Sequence, residues 1–246
     1  MSESVLGIDI GGTGIKGAVI DINTGALLTE KIKYKTPDVS TPEAVLEIIK
    51  KLVNDFNWSN KPVGIGFPAI IRNGVALSAA NVDKSWKGFD IQSYFTKELE
   101  VLTTVVNDAD AAGMAEFRFG SANNMEGTVL LLTLGTGIGS ALFRNGLLVP
   151  NIEMGHLKWQ DGIAEDYASN RARKRDSLDW PQFGKRLNEI LHHISFLMSP
   201  DLFIIGGGIS KSFEYYKPYI DIDATIVPAT LKNEAGIIGA AIYASF

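Results

Sequence analysis

The 246-residue chain has no cysteine, which excludes a disulfide framework, a thiol nucleophile and a Cys-ligated zinc. Its three histidines lie at no metal-ligand spacing, so a structural metal is not expected either. Apolar runs are short: none approaches the roughly 18–20 residues that a membrane-crossing helix requires. The first residues enter a strand pattern without a charged-then-apolar leader, so the expected address is cytoplasmic, with no membrane partner. Positive charge is in deficit. Lys and Arg number 23 against 28 Asp and Glu, and the net charge of −5 speaks against nucleic acid as a partner. Low-complexity and linker-like stretches are also lacking. Hydrophobic residues at 46% and charged residues at 21% match a soluble globular protein, and the chain length suits one or two packed α/β units.

Glycine is plentiful, and its placement organises the chain. Val5 to Ile10 forms a short apolar strand pattern that runs into Gly11, Gly12 and Gly14. Lys16 to Ile22 reads as a second strand, Asn23-Thr24-Gly25 as a hairpin turn, and Ala26 to Tyr34 as a third strand. Ser40-Thr41-Pro42-Glu43 opens a helix with Val45, Ile48, Ile49, Leu52, Val53 and Phe56 on one face. Strands follow at Val63 to Phe67 and Thr103 to Val106, the second delivering Asn107 and Asp108 to its end before a helix from Ala109 to Phe117. The opening pattern then returns. Val129 to Thr133 is a strand, Gly135-Thr136-Gly137-Ile138-Gly139 a glycine turn, Ser140 to Phe143 a strand, Asn145-Gly146 a hairpin turn and Leu147 to Val149 a third strand. A helix from Trp180 to Met198 buries Phe183, Leu187, Ile190, Leu191, Ile194 and Leu197, and Leu202 to Ile205 is a strand ending in Gly206-Gly207-Gly208. A small-residue helix, Ala235 to Ala244, closes the chain. The repeat predicts two similar α/β halves facing one cleft: residues 1–107, with the C-terminal helix 235–246 packing back on them, and residues 108–234.

A glycine turn at a strand end lets backbone N–H groups approach phosphate oxygens with no side chain in the way. Each of the three turns, taken alone, could be a plain β-turn. The first two are accompanied by Asp9, Lys16, Thr133 and Thr136, residue types that hold phosphate and the waters of a magnesium ion. A strand follows each of these two turns rather than a helix, which points away from a dinucleotide fold. Asp108 could cap the helix it precedes, or it could be the carboxylate that a phosphoryl transfer to an alcohol needs within hydrogen-bond reach of the attacking hydroxyl. Asp110, its neighbour, is expected to face solvent. Glu153, His156 and Glu165 read either as a polar surface loop or, with Asn81, Asn107 and Asp108, as donors and acceptors suited to vicinal sugar hydroxyls. His192 and His193 fall within an amphipathic helix and read as structural. Arg171, Arg173, Lys174 and Arg175, with Lys185 and Arg186, are either a solvated helix face or a track for an extended phosphate polymer.

Five segments resemble the ROK family of sugar kinases and repressors: "DIGGTGIK" from Asp9, "NDADAAG" from Asn107, "LTLGTGIGSAL" from Leu132, "EMGH" from Glu153 and "IIGGGIS" from Ile204. "GIGFPA", "AANVDKSW", "LVPNIEMGH", "AEDYAS", "SPDLFIIGGGISK" and "NEAGIIGAA" are similar to the branch of that family that phosphorylates glucose from polyphosphate, and together they span nearly the whole chain. The resemblance implies the duplicated hexokinase and actin-like ATPase (ribonuclease H-like) fold, with Asp108 as catalytic base. It implies that Asn81, Asn107, Glu153, His156 and Glu165 hold the sugar. Donor phosphates would lie on Asp9, Gly11, Gly12, Thr13, Gly14, Lys16, Thr133, Gly135, Thr136, Gly137, Gly207 and Gly208. It also implies Mg²⁺, reached by Asp9 through water, glucose or mannose as acceptor, polyphosphate or ATP as donor, and a homodimer. No zinc is expected, because the Cys-rich motif of many family members is missing. Only Met1 to Ser4 precede the first strand, where the family's repressors carry a helix-turn-helix, so DNA binding is not expected. Two other classes share the fold: a non-catalytic sugar sensor, which would need no base, and a polymerising ATPase, which would need no sugar residues.

Overall fold

Alternating and continuous apolar runs set the sheets. β1 (Ser4–Gly11) and β2 (Gly14–Asp21) pair antiparallel with Gly11 opposite Gly14, so only Gly12 and Thr13 lie between the strands. The computed structural model describes residues 3–79 and 82–246. The expected third strand keeps only its second half, β3 (Ile32–Tyr34). The Val19 amide donates to the Thr29 hydroxyl at 3.1 Å, so a side chain takes a ladder bond and regular pairing stops beyond an isolated bridge from Ile20 to Leu27.

Helix α1 (Pro42–Asp55) starts where Thr41 accepts the Ala44 amide and Pro42 takes the first turn, and it buries Val45, Leu46, Ile49 and Leu52. Strand β4 (Val63–Phe67), the small hairpin of β5 (Ile71–Arg72) and β6 (Val75–Ala76), helix α2 (Ile91–Leu99) and strand β7 (Thr103–Asn107) follow. The first sheet runs β3-β2-β1-β4-β7, with β1, β4 and β7 parallel. Helix α3 (Asp108–Phe119) leaves the end of β7.

A second sheet repeats the plan. β8 (Thr128–Leu134), β9 (Ile138–Arg144) and β10 (Leu147–Val149) form its antiparallel part, and β11 (Lys158–Trp159) with β12 (Gly162–Ile163) make a side hairpin. Helices α4 (Ala164–Ala168), α5 (Asn170–Arg175) and α6 (Trp180–Met198) lead to β13 (Leu202–Gly206), the short α7 (Phe213–Tyr216) and β14 (Thr225–Pro228). The order β10-β9-β8-β13-β14 matches that of the first sheet strand for strand, so the duplication read from the glycine pattern is present in the α/β architecture. Helix α6 begins with a reciprocal capping box between Asp179 and Gln182 and stays buried through Ile194. Leu197, expected on the buried face, is exposed with Phe196 in the last turn.

Helix α8 (Ala235–Tyr243) belongs to the first of two compact units, which comprises residues up to 115 and from 234 onward; the second holds residues 116–233. Almost every residue of α8 is buried. Its backbone lies so close to the sheet that a Cβ on Gly7 would stand 2.1 Å from the Ile237 carbonyl oxygen, and one on Gly64 1.9 Å from that of Ala240. On the other side, Gly239 meets the Ala111 carbonyl of α3 at 1.6 Å by the same measure. Backbone cannot yield as a flexible side chain can. Gly64→Ala is therefore expected to lower the melting temperature by about 4 °C or more, the scale of 1–3 kcal/mol in a chain of this size. An unchanged melting temperature in scanning calorimetry would show that α8 is not held this closely.

Candidate active site

In the first unit the site is built on strand ends. Asp9 of β1 stands opposite Lys16 of β2, and their side chains form an ion pair of 2.8 Å. On its other side Asp9 stands opposite Gly66 of β4, where an added Cβ would lie 3.7 Å from the Asp9 carboxylate and 3.8 Å from the Asp108 Cα. Asp9 and Asp108 thus flank the same bare glycine. A Cβ on Gly236, in the first turn of α8, would come 2.8 Å from the Asp9 carboxylate, so that carboxylate rests against the positive end of a helix that lacks a side-chain cap.

The helix-capping role that competed for Asp108 falls to Asn107. Its Oδ1 accepts the Ala109 and Asp110 amides at 2.9 and 3.1 Å, while its Nδ2 donates to the Ala69 carbonyl. Asp108 is half-buried and takes the amide of Ala109 at 2.8 Å. Asp110, expected to face solvent, is instead 1% exposed, because the helix turns that side toward the interior. Asn81 lies outside the described residues.

Gly12 in this unit and Gly135 in the second have an ordinary backbone, and a Cβ on either would meet no atom within 4 Å. Neither packing nor left-handed geometry demands glycine there, which fits a backbone that a ligand must approach closely. Gly207 differs. Its φ of +79° and a Cβ contact of 2.7 Å to the Leu134 carbonyl give it a folding reason, while Gly208 again faces open space. Thr36, missed in the sequence, is buried and donates its hydroxyl to the Gly11 carbonyl at 2.6 Å, bracing the first turn. Beside it a cavity of about 370 Å³ is lined by Gly11, Gly12, Ser40, Phe67 and Trp86 among others.

The second unit gathers Glu153, His156 and Glu165 around its own glycine turn. Glu165 Oε2 accepts the Ile138 amide at 3.2 Å; a side chain on Gly137 would strike that same carboxylate, and one on Gly155 would strike the Ile138 carbonyl. The turn closes through the Gly135 amide on the Gly137 carbonyl, and the Arg171 amide donates to the Gly135 carbonyl at 3.1 Å. Thr133 stands between Gly139 and Gly206 in the ladder, one residue from the turn. Glu153 lies 3.9 Å from His156 Nδ1. Burial pushes the Glu153 carboxyl above its usual range; the Glu165 charge adds to the rise and His156 opposes it.

The basic run resolves into a short helix whose arginines have partners. Arg171 reaches Asp166 at 3.6 Å and Glu165 at 4.0 Å, and Arg175 and Arg186 both bind Asp176, which they hold far below the usual carboxylate range. Arg173 lies 4.2 Å over the Trp180 ring and donates to the Leu178 carbonyl, so it packs as much as it charges. Lys174 is exposed. His192 pairs with Asp221 at 2.8 Å, and His193 lies edge-on to Trp159.

Glu116 carries no signal in the sequence that separates it from a surface glutamate, yet it is fully buried. Its carboxylate accepts the Ser121 and Leu231 amides and the Thr230 hydroxyl at 2.7–3.1 Å, pinning the end of α3 to the segment that precedes α8.

Comparison with known proteins places these features in context. Residues 5–182 match the family model described as ROK family. The chain is 44% identical to a polyphosphate glucokinase of Mycobacterium tuberculosis over 237 residues, 96% of this chain and 89% of that protein. A crystal structure of an inorganic polyphosphate/ATP-glucomannokinase from Arthrobacter sp. strain KM superposes with a TM-score of 0.93 at 49% identity, covering 98% of each chain. A ROK family glucokinase from Streptomyces griseus, solved with glucose and AMPPNP, shares the fold at a TM-score of 0.85 and 23% identity, over 98% of this chain and 99% of that one.

The raised pKa of Glu153 has a signed consequence. Because the folded value for Glu153 lies above the unfolded one, ionising it costs stability at high pH and nothing where both states are protonated. Glu153→Gln is expected to melt above the wild type at pH ~8, with the difference vanishing near pH ~4. A variant that melts at or below the wild type at pH ~8 would contradict the burial penalty.

Proposed function

The chain belongs to the ROK family, and from that premise we propose that it transfers a phosphoryl group from inorganic polyphosphate to the 6-hydroxyl of glucose, with ATP as a second donor and mannose as a second acceptor. The observation that carries this reading is the 44% identity to a polyphosphate glucokinase along 96% of the chain; the Arthrobacter glucomannokinase, whose description names both donors, supports it. Among the described residues no helix is long and apolar enough to cross a membrane, which accords with a cytoplasmic enzyme; a homodimer follows from the resemblance alone.

Asp108 accepts the proton of the attacking hydroxyl. Asn107 carries the capping of α3, with Asp108 Oδ1 sharing the Ala109 amide. General-base assistance of this kind is worth about 10²–10⁴-fold. Glu153, His156 and Glu165, with Asn107 and Asn81, bind the sugar hydroxyls; the second Nδ2 hydrogen of Asn107 is the one available beyond its bond to Ala69. The Gly11 to Gly14 and Gly135 to Gly137 turns, with Gly207 and Gly208, offer amides to the donor, and Thr13, Thr133 and Thr136 offer hydroxyls. Lys16 offsets charge that builds on the transferred group, and positioning supplies most of the rest, since a loose transition state leaves little covalent work for the protein.

Phosphoryl transfer calls for a divalent metal. Among the described residues no three His, Asp or Glu side chains come together to cage one. The residues fit a magnesium ion coordinated mainly by donor oxygens and water, with Asp9 as its single carboxylate partner through water. Such an ion would supply charge neutralisation at the phosphate oxygens.

The ATP-only alternative draws on the Gly206 to Gly208 turn, which the resemblance puts near a nucleotide. The decisive assay is glucose 6-phosphate formation with long-chain polyphosphate or ATP as sole donor; no product from either would leave another sugar as acceptor or the sugar-sensor reading. Asp108→Asn is expected to keep sugar affinity and lose at least 99% of turnover, and retention of a tenth of kcat would remove Asp108 from the base role. We also infer that Arg171, Lys174 and Arg175 give polyphosphate a track, with Arg173 as its packing support. Arg171→Glu with Lys174→Glu should raise KM for polyphosphate more than for ATP, and equal shifts would count against the track.

A further inference from the structure

A lysine that no motif contains lies on the first glycine turn. Lys33 of β3 stands directly opposite Lys16 of β2, which itself stands opposite Asp9 of β1, so the three share one face of the sheet. Instead of extending into solvent, the Lys33 chain folds across Gly14. A Cβ at Gly14 would lie 2.2 Å from Lys33 Cε and 3.2 Å from its Nζ. Gly14 has an ordinary φ, and a Cβ there would crowd both this side chain and the Tyr34 carbonyl oxygen, 3.2 Å away.

Lys33 is one of a row. Lys31 and Lys35 flank the three-residue edge strand, two positions to either side of Lys33. Lys31 is paired with Glu234 at 3.6 Å, Lys35 with Asp38 at 2.6 Å and Lys16 with Asp9 at 2.8 Å. Among the described residues no hydrogen bond or ion pair engages the Lys33 ammonium. Lysines on an edge strand also deter edge-to-edge pairing. That purpose does not require the ammonium to lie back over a glycine whose neighbours, Gly12 and Thr13, form the turn.

We propose that Lys33 is a donor-binding residue, which holds a phosphate of the polyphosphate chain beside the first glycine turn, with Lys31 and Lys35 continuing the contact along the edge strand. The ligand is a linear polyanion of phosphate, and the inference rests on the polyphosphate-kinase reading above. It differs from the arginine run of α5, whose guanidinium groups are already engaged by Asp166, Asp176 and the Trp180 ring.

The test uses purified full-length protein and steady-state kinetics with long-chain polyphosphate at several salt concentrations. Lys33→Gln is expected to raise KM for polyphosphate roughly fivefold to tenfold, the net scale of one solvent-exposed hydrogen bond, and Lys33→Glu further. The dependence of log(1/KM) on log[salt] should flatten by about 0.7, the value for one lost contact on a flexible polyanion. KM for glucose and the melting temperature should not move, because the side chain is exposed. Lys51→Gln, the same charge change on the exposed face of α1, should leave KM for polyphosphate at the wild-type value. Lys33 variants that match the wild type in KM and salt slope, or a Lys51 variant that shifts as much as Lys33→Gln, would overturn the proposal while the functional reading stood. A wild-type protein that transfers nothing from polyphosphate would overturn the functional reading, and this inference with it.

Discussion

Close backbone approach by α8 is the constraint on which the first unit depends. A nine-residue helix from the far end of the chain reaches the middle of a sheet made by the first hundred residues, and it does so only where Gly7, Gly64 and Gly239 remove the side chains. The same docking sets the chemistry. With the helix at that depth, its first turn ends against Asp9, and α3, which it touches at Ala111, carries Asp108 at its own start. Two carboxylates from distant parts of the sequence therefore owe their places to one set of backbone contacts, and Glu116 fixes the opposite end of α3 to the segment that leads into α8.

The two units solve the glycine turn by different supports. In the first, the turn is braced by the Thr36 hydroxyl on the Gly11 carbonyl and overlain by Lys33. In the second, the Glu165 carboxylate and the Arg171 amide hold it from the side that carries Glu153 and His156. Duplicated topology thus gives one unit a turn beside the Asp9–Lys16 ion pair, and gives the other a turn bonded directly to the Glu165 carboxylate. Common strand order does not imply common chemistry: in the first unit the charged side chains come from the shared strands, and in the second they come from the helices that follow them.

Local signals made much of this legible. Strand runs, glycine turns, the Thr41-Pro42 start of α1 and the amphipathic α6 are all encoded within a few residues, and the structure keeps them. Features that depend on residues far apart in the chain were not legible. Asp110 sits in a helix whose flank is covered, so a carboxylate that reads as solvated is buried. Whether Asn107 or Asp108 would cap α3 is a matter of one residue's backbone position, which spacing does not specify. Glu116 and Lys33 carry no local signal, because Glu116 is held by Thr230 and Leu231, more than 110 residues away, and Lys33 meets Gly14 only through the pairing of β3 with β2. The arginine run announced charge correctly but not its engagement by Asp166 and Asp176.

A net charge of −5 sits oddly with a polyanionic donor until distances are considered. At physiological ionic strength charges are screened beyond about 8 Å, so the protein's total charge has little say in how a phosphate meets a turn of backbone amides. Recognition has to be made by groups within a few ångströms. Four lysines stand on or beside the first turn's face, three of them already balanced by Asp9, Asp38 and Glu234. That balance keeps the first turn from concentrating uncompensated positive charge. An acidic protein can in this way present cations locally, beside a turn of backbone amides, whatever its total charge.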